Sequence, residues 1–352
     1  MIPKDIQELI ARGGGVLLRG DAERAGLATS RIYPLIASGA LTTVMPGCFA
    51  RASHVAKLDA WGRFALAGRA FALSHDAFLT GWAAAMLCKL PTVGRPPARP
   101  TAIRPKAPGR GSQNLKHGRL LVADIPERHR YRRGQLRVTS PAWSVADVVR
   151  TTRLPDGLVV ADAAARNNIE LGALVSLMNR WPGIAKLRWV AEYAEPNAET
   201  PIESLGRFTF YEYDFPLPVA NAWVGRDRPE WRVDGLLPWH WWVKEGDGAV
   251  KYNNRSDASD IVRKQNDREY ALRRLGLEVL RYRWDDVYHR RGDFAQKIRA
   301  MFRERPPRKE PVRWWKEVPG VGPVEPKPED WPSPHPTRIV LPVGWRDDLR
   351  DS

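Results

Sequence analysis

The sequence predicts a multi-domain α/β protein. Three observations carry that prediction. The chain has 352 residues, more than one typical core organises. Helix-like and strand-like patterns alternate through most of it, and after residue 305 the composition turns rich in Pro and Trp. With 43% hydrophobic and 27% charged residues, the balance is that of an ordinary globular chain. The start, "MIPKDIQELIARGGG", has no apolar signal core, and no apolar run reaches bilayer-spanning length, so no membrane association is expected. Cys48 and Cys88 form neither a C-x-x-C pair nor a zinc pattern; they are expected as buried core thiols in a reducing cytoplasm. The 56 Lys and Arg against 40 Asp and Glu give +16, which favours a polyanionic partner, nucleic acid first. Arg-rich codon usage is the plainer source of the same charge.

Residues 1–54 read as one small unit. "PKDIQELIARGG" is a helix ending at glycines, with Ile6, Leu9 and Ile10 on one face. A short helix from Asp21, a tight turn at Gly26 and a second helix from near Thr29 follow, with Leu27, Ile32, Leu35 and Ile36 inward. "LTTVMPGCFARA" then gives two short strands around Pro46-Gly47. Helix, helix, turn, helix and two-stranded wing make a winged helix-turn-helix in outline. In that geometry Ser30, Arg31 and Tyr33 face base edges of double-stranded DNA, and Arg51 a phosphate at the wing. A winged helix used for protein contact is the alternative. Pro34 is expected inside the presented helix, where it would remove a hydrogen bond and kink it.

Residues 55–194 form a central α/β segment. The stretch from 56 to about 90 reads as helical, apolar core. Residues 95–133 carry eleven Lys or Arg against two acids and are punctuated by Pro and Gly, which predicts strands and exposed loops. Such loops suit phosphate contacts or a solvated basic surface. "TSPAWSVADVVRTT" and "GLVVADAAARNN" read as helices, with Leu171 to Met178 a third. Residues 195–304 begin a new unit, and 305–352 read as an extended, partly disordered tail packed by its Trp residues.

The most informative stretch is "WRVDGLLPWHWWVKEGDGAVKY", residues 231–252: two apolar strands around a short turn, carrying Asp234, Glu245 and Asp247. A turn centred at Trp239-His240 sets 234 opposite 245, and alternation brings Asp247 to that face and Lys244 to the other. Opposed like charges need an offset. A divalent cation held by carboxylates and substrate phosphate, an Arg or Lys partner, or solvent exposure would each supply one. A helix near 199–212 and a strand at "LPVANAWV" precede the hairpin. The helix "SDASDIVRKQNDREYALRRLG", bearing Lys264 and Arg268, and the strand "LEVLRYRW" follow.

This order, with "ESLGR" at 203–207, "RVDG" at 232–235, "KEGDGAVKY" at 244–252 and "DREYALRRLGLEVLRYRW" at 267–284, resembles the very-short-patch-repair-like branch of the PD-(D/E)xK restriction-endonuclease-like superfamily. The resemblance implies an αβββαβ core. It also implies Mg2+ (or Mn2+) ligation by Asp234 and Glu245 with Asp247 beside them, assistance from Glu203, Lys251 near the reacting phosphate, and Arg268 bracing the site or the DNA. The chemistry it implies is metal-assisted phosphodiester hydrolysis. The family's E-x-K step reads Glu245-Gly246-Asp247 here, so the lysine two residues on is absent. The first half, with "GALTTVMPGCF" as its wing, resembles the AbiEi family of type IV antitoxins. That likeness implies a DNA-binding repressor of its own operon with a toxin partner.

Overall fold

The structure, a computed structural model, describes residues 2–247 and 258–350. It is mixed α/β with three β-sheets and divides into two compact units. One comprises Met1–Val160, Ile169–Glu192 and Gly344–Ser352; the other comprises Ala161–Asn168 and Tyr193–Val343.

In the first unit, α1 (Lys4–Arg12) forms because Ile6 and Ile10 fall one turn apart and are both buried. It stops at Gly14 and Gly15, whose positive φ angles ordinary residues avoid. Then come β1 (Leu17–Leu18), α2 (Arg19–Arg24), a turn at Gly26, a single 3-10 turn over Thr29–Arg31, and α3 (Tyr33–Ala37). β2 (Leu41–Met45) and β3 (Cys48–Arg51) pair around Gly47, and β1 adds to β3 to give the order β1-β3-β2. Ile6, Leu17, Leu27, Ile32, Leu41 and Phe49 close one small apolar core. The structure corrects the reading of Pro34. The helix starts at Tyr33, so Pro34 lies in the first turn, where its missing N–H has no intrahelical partner to lose. The strand β1, only two residues long, carries too little pattern to be read from sequence.

The chain continues through α4 (Ala52–Val55), α5 (Ala60–Ser74), β4 (Phe78–Thr80) and α6 (Gly81–Leu87). The sequence expects helix throughout this stretch; β4 interrupts it because all three of its residues are buried and its apolar run lacks any period. The basic region supplies β5 (Thr101–Arg104), β6 (Gln113–Leu115), β7 (Gly118–Val122) and β8 (Arg130–Arg133), as Pro and Gly predict, and β9 (Leu136–Thr139) follows. The sheet order is β6-β7-β5-β4-β9-β8, with β5–β7 and β4–β9 parallel. Helices α7 (Pro141–Thr151), α8 (Leu154–Arg166) and α9 (Gly172–Leu177) match the three expected, and α10 (Ile184–Tyr193) is additional. Cys48 is buried as expected, whereas Cys88 is half-buried.

In the second unit, α11 (Pro201–Glu212) is capped by Thr200 and anchored by a buried Arg207–Asp162 ion pair at 2.7 Å. It is followed by β10 (Val219–Val224), β11 (Trp231–Leu237), β12 (Trp242–Asp247), α12 (Ala258–Arg274), β13 (Glu278–Arg283), α13 (Trp284–Tyr288) and α14 (Arg291–Glu304). The tail is more ordered than its composition suggests. β14 (Trp314–Val318) and β15 (Gly322–Val324) extend the sheet, whose order is β13-β12-β11-β10-β14-β15. Trp314 is buried in the same cluster as Val233, Val243 and Leu272. The tail also closes over the hairpin turn: Trp239 Nε1 donates to the Pro332 carbonyl at 2.8 Å, and His240 places its two ring nitrogens 2.8 Å and 3.0 Å from the Arg305 and Pro334 carbonyls. Among the described residues no helix is long and apolar enough to cross a membrane.

Candidate functional site

The hairpin register positions the carboxylates. Gly235 pairs with Lys244 and Leu236 with Val243, so Asp234 stands opposite Glu245. The two strands exchange side chain for backbone there: Gly246 N donates to Asp234 Oδ2 at 2.8 Å, and Asp234 N donates to Glu245 Oε1 at 3.4 Å. On the other side of β11 the ladder with β10 breaks between Ala220↔Gly235 and Ala222↔Val233. Asn221, facing that break, adopts a φ of +47°, a conformation Asn tolerates better than most residues. Its buried amide donates to Glu203 Oε2 at 2.8 Å. Nothing in a run such as "PVANAWV" announces a distorted strand, and sequence reasoning misses Asn221.

Glu203 lies on α11 with its carboxylate fully occupied. Thr200 Oγ1 donates to it at 2.6 Å and Glu199 N at 3.0 Å, besides Asn221. Burial pushes its proton affinity up, and the Asp234 carboxylate adds to that against the lowering effect of the Thr200 hydroxyl. Glu245 is pushed up to about 7, by burial first and by Asp234 second, while Arg268 opposes. Arg268, from α12, meets Glu245 at 3.0 Å and also donates to the Arg232 carbonyl. Asp247 does not join the pair; Arg281 of β13 holds it at 2.7 Å and binds Glu269 at 2.9 Å. One of the alternatives raised by the sequence is therefore realised: arginines offset Glu245 and Asp247, while Asp234 stays beside Glu245.

Lys244 points away from Glu245, as strand alternation requires, and is 2% exposed. Its ammonium lies 3.2 Å from the Tyr282 hydroxyl. Burial lowers its proton affinity, and Asp234 and Glu203 raise it. The same burial and carboxylates push the Tyr282 hydroxyl well up. Two glycines make room for this pair. A Cβ on Gly235 would meet the Lys244 stem at 2.6 Å, and one on Gly206 would meet the Tyr282 hydroxyl at 2.6 Å. Sequence reasoning assigns Lys244 no role; its signal is the unusual lysine between a valine and a glutamate in a buried strand. Lys251 lies outside the described residues, as does the side chain of Lys264.

Among the described residues no three His, Cys, Asp or Glu side chains cluster closely enough to hold a metal by themselves. The Asp234–Glu245 pair fits the smaller requirement of Mg2+, which takes one or two carboxylates and completes its shell with water and substrate oxygens.

The residues expected to face DNA fall on the first unit. Ser30 and Arg31 are exposed on the 3-10 turn, and Tyr33, 53% exposed, opens α3. Arg31 is ion-paired with Asp5 at 2.8 Å. The Tyr33 hydroxyl accepts from Arg19 at 3.1 Å, so Arg19 joins this surface, a residue that sequence reasoning passed over. Arg51 ends β3, half-buried, and donates to Gln7 Oε1 at 2.8 Å, which ties it back to α1. No protein-family model matches the chain. It is similar to uncharacterised proteins from two strains of Mycobacterium tuberculosis, 27% identical over 168 residues. The match covers 46% of this chain and 59% of each relative, so the chain spans little more than half their length.

Proposed function

We propose that this chain is a DNA-binding regulator of the AbiEi antitoxin kind, with a winged helix-turn-helix in residues 1–54 and a restriction-endonuclease-like domain in its second unit. One observation carries the reading. Ser30, Arg31 and Tyr33 are exposed along the stretch that follows the Gly26 turn, and half-buried Arg19 of α2 reaches the Tyr33 hydroxyl, while Leu27 and Ile32 of the same stretch are buried. Such a face offers hydrogen-bond donors and an aromatic edge to a groove, and β2 and β3 follow it in the position of a wing. Pro34, at the start of α3, leaves the presented helix unkinked. The +16 charge supplies the sequence-independent attraction to phosphate. In this reading the protein represses its own operon and pairs with a toxin. Gel-shift titration against its own upstream region is the test: sequence-selective retardation supports the regulator, and binding no tighter than to random duplex removes it.

A second reading, Mg2+-dependent phosphodiester hydrolysis, is favoured by the Asp234–Glu245 pair. Those two carboxylates would hold the ion, which when bound polarises a phosphoryl oxygen and makes a bound water more acidic. The chain's own residues would prepare the site. Arg268 fixes the Glu245 carboxylate, and Asn221 with Thr200 fixes Glu203. Lys244 balances charge behind Asp234. Nicking of supercoiled plasmid with Mg2+ or Mn2+, lost in Asp234→Ala and Glu245→Ala, supports this reading; intact plasmid under both metals contradicts it.

A further inference from the structure

We propose that the first unit carries a second site, a cavity that binds a nucleoside phosphate through Arg119 and Arg180. The cavity measures about 630 Å³, within the roughly 300–1,000 Å³ usual for small-molecule sites. Four cations line it: Lys106, Arg119, Arg150 and Arg180. Two are already balanced. Lys106 pairs with Asp124 at 3.0 Å, and Arg150, itself buried, pairs with Asp147 at 2.5 Å. The other two have no carboxylate partner among the described residues. Arg119 donates only to the Leu349 carbonyl, at 3.3 Å, and Arg180 is exposed. A guanidinium in this state matches phosphate oxygens in both charge and geometry.

The rest of the wall suits a base or sugar. Leu121, Leu177 and Pro182 contribute apolar surface beside Trp181. Trp181 is fixed before any ligand arrives: the Arg150 guanidinium lies 4.5 Å over its ring, and Trp143 meets it edge-on at 5.7 Å. Arg150 in turn donates to the Pro182 carbonyl at 2.7 Å, which pins the loop that carries the wall. A preorganised wall lowers the ordering cost of binding. The concavity also selects the source. A duplex backbone presents its phosphates on a convex surface, whereas a free nucleotide or the end of a single strand can enter a cavity.

Isothermal titration of the full chain with ATP, with inorganic phosphate and with a 5′-phosphorylated dinucleotide tests this. ATP is expected to bind, and Arg180→Ala to weaken it at least about tenfold, the loss of one charge-assisted contact. Arg119→Gln should do the same, with its melting temperature checked because it also loses the Leu349 contact. Arg303→Ala, on the exposed face of α14, should leave affinity unchanged. Dinucleotide binding with the same Arg180 dependence and without ATP binding assigns the site to a strand end. Equal affinity for phosphate and ATP overturns the nucleoside assignment. No binding of either nucleotide, or binding indifferent to Arg180→Ala, overturns the site.

Discussion

Between pH 4.5 and 7 the proton on Glu245 links the carboxylate pair to stability. Its folded proton affinity is raised to about 7 from an ordinary value of 4.5, so the folded state holds the protonated form more tightly than the unfolded chain does. Stability from this group is fully present below pH 4.5 and is lost as pH rises through 7. A difference of this size corresponds to roughly 3 kcal/mol. Glu245→Gln, which cannot ionise, should therefore match the wild type near pH 4 and exceed it by up to that amount at pH 8, as read by urea denaturation at both values. A pH-independent difference would remove the electrostatic account of the pair. Gly235 sets a second condition at this scale. Gly235→Ala should cost about 1–3 kcal/mol, because the new methyl meets the buried Lys244 stem. The loss should shrink when Lys244→Ala is added, a coupling that a double-mutant cycle measures.

At the scale of elements, the sequence was legible where pattern and punctuation agree. The hairpin register followed from two apolar runs symmetric about Trp239-His240, and the structure pairs Gly235 with Lys244 on that register. The basic stretch read as strands because Pro and Gly exclude helix. What stayed hidden had physical reasons. β14 and β15 lie in a Pro-rich tail whose strand character comes from pairing, β14 with β10 and β15 with β14, and not from local propensity. Asn221 was invisible because a positive φ at an ordinary strand residue depends on the neighbours that hold it. Pro34 was misplaced by a helix boundary shifted to Tyr33. Two outcomes check this layer. Pro34→Ala should change stability by no more than about 1 kcal/mol, whereas a proline in a helix interior would release about 3 kcal/mol on removal. Trp314→Ala should cost about 3–5 kcal/mol, because its buried ring fills the core shared with Val233 and Val243. An unaffected melting curve for Trp314→Ala would mean the tail does not contribute to that core.

At the scale of the whole molecule, one chain joins a first unit with an exposed Arg–Tyr surface to a second unit with paired carboxylates in its sheet. Of the +16 charge, the first unit carries +14 (29 Lys and Arg against 15 Asp and Glu) and the second +2 (27 against 25). Electrostatic attraction to DNA releases counterions, so affinity should fall steeply with salt, by about one power of salt concentration for each phosphate contacted. In the proposed reading, groove recognition is separate. It should reside in the 3-10 turn and the start of α3, independent of Asp234 and Glu245.

The most direct test of DNA binding through that surface is fluorescence anisotropy with a labelled duplex, titrated from 50 to 200 mM salt (about the range over which phosphate contacts are resolved). The comparison is wild type, Arg31→Ala with Tyr33→Ala, and Asp234→Ala. The account predicts salt-sensitive binding in the wild type, a loss of at least about tenfold in the Arg31–Tyr33 variant, and no loss in Asp234→Ala. Equal affinity in all three proteins, or binding that salt does not weaken, would contradict it.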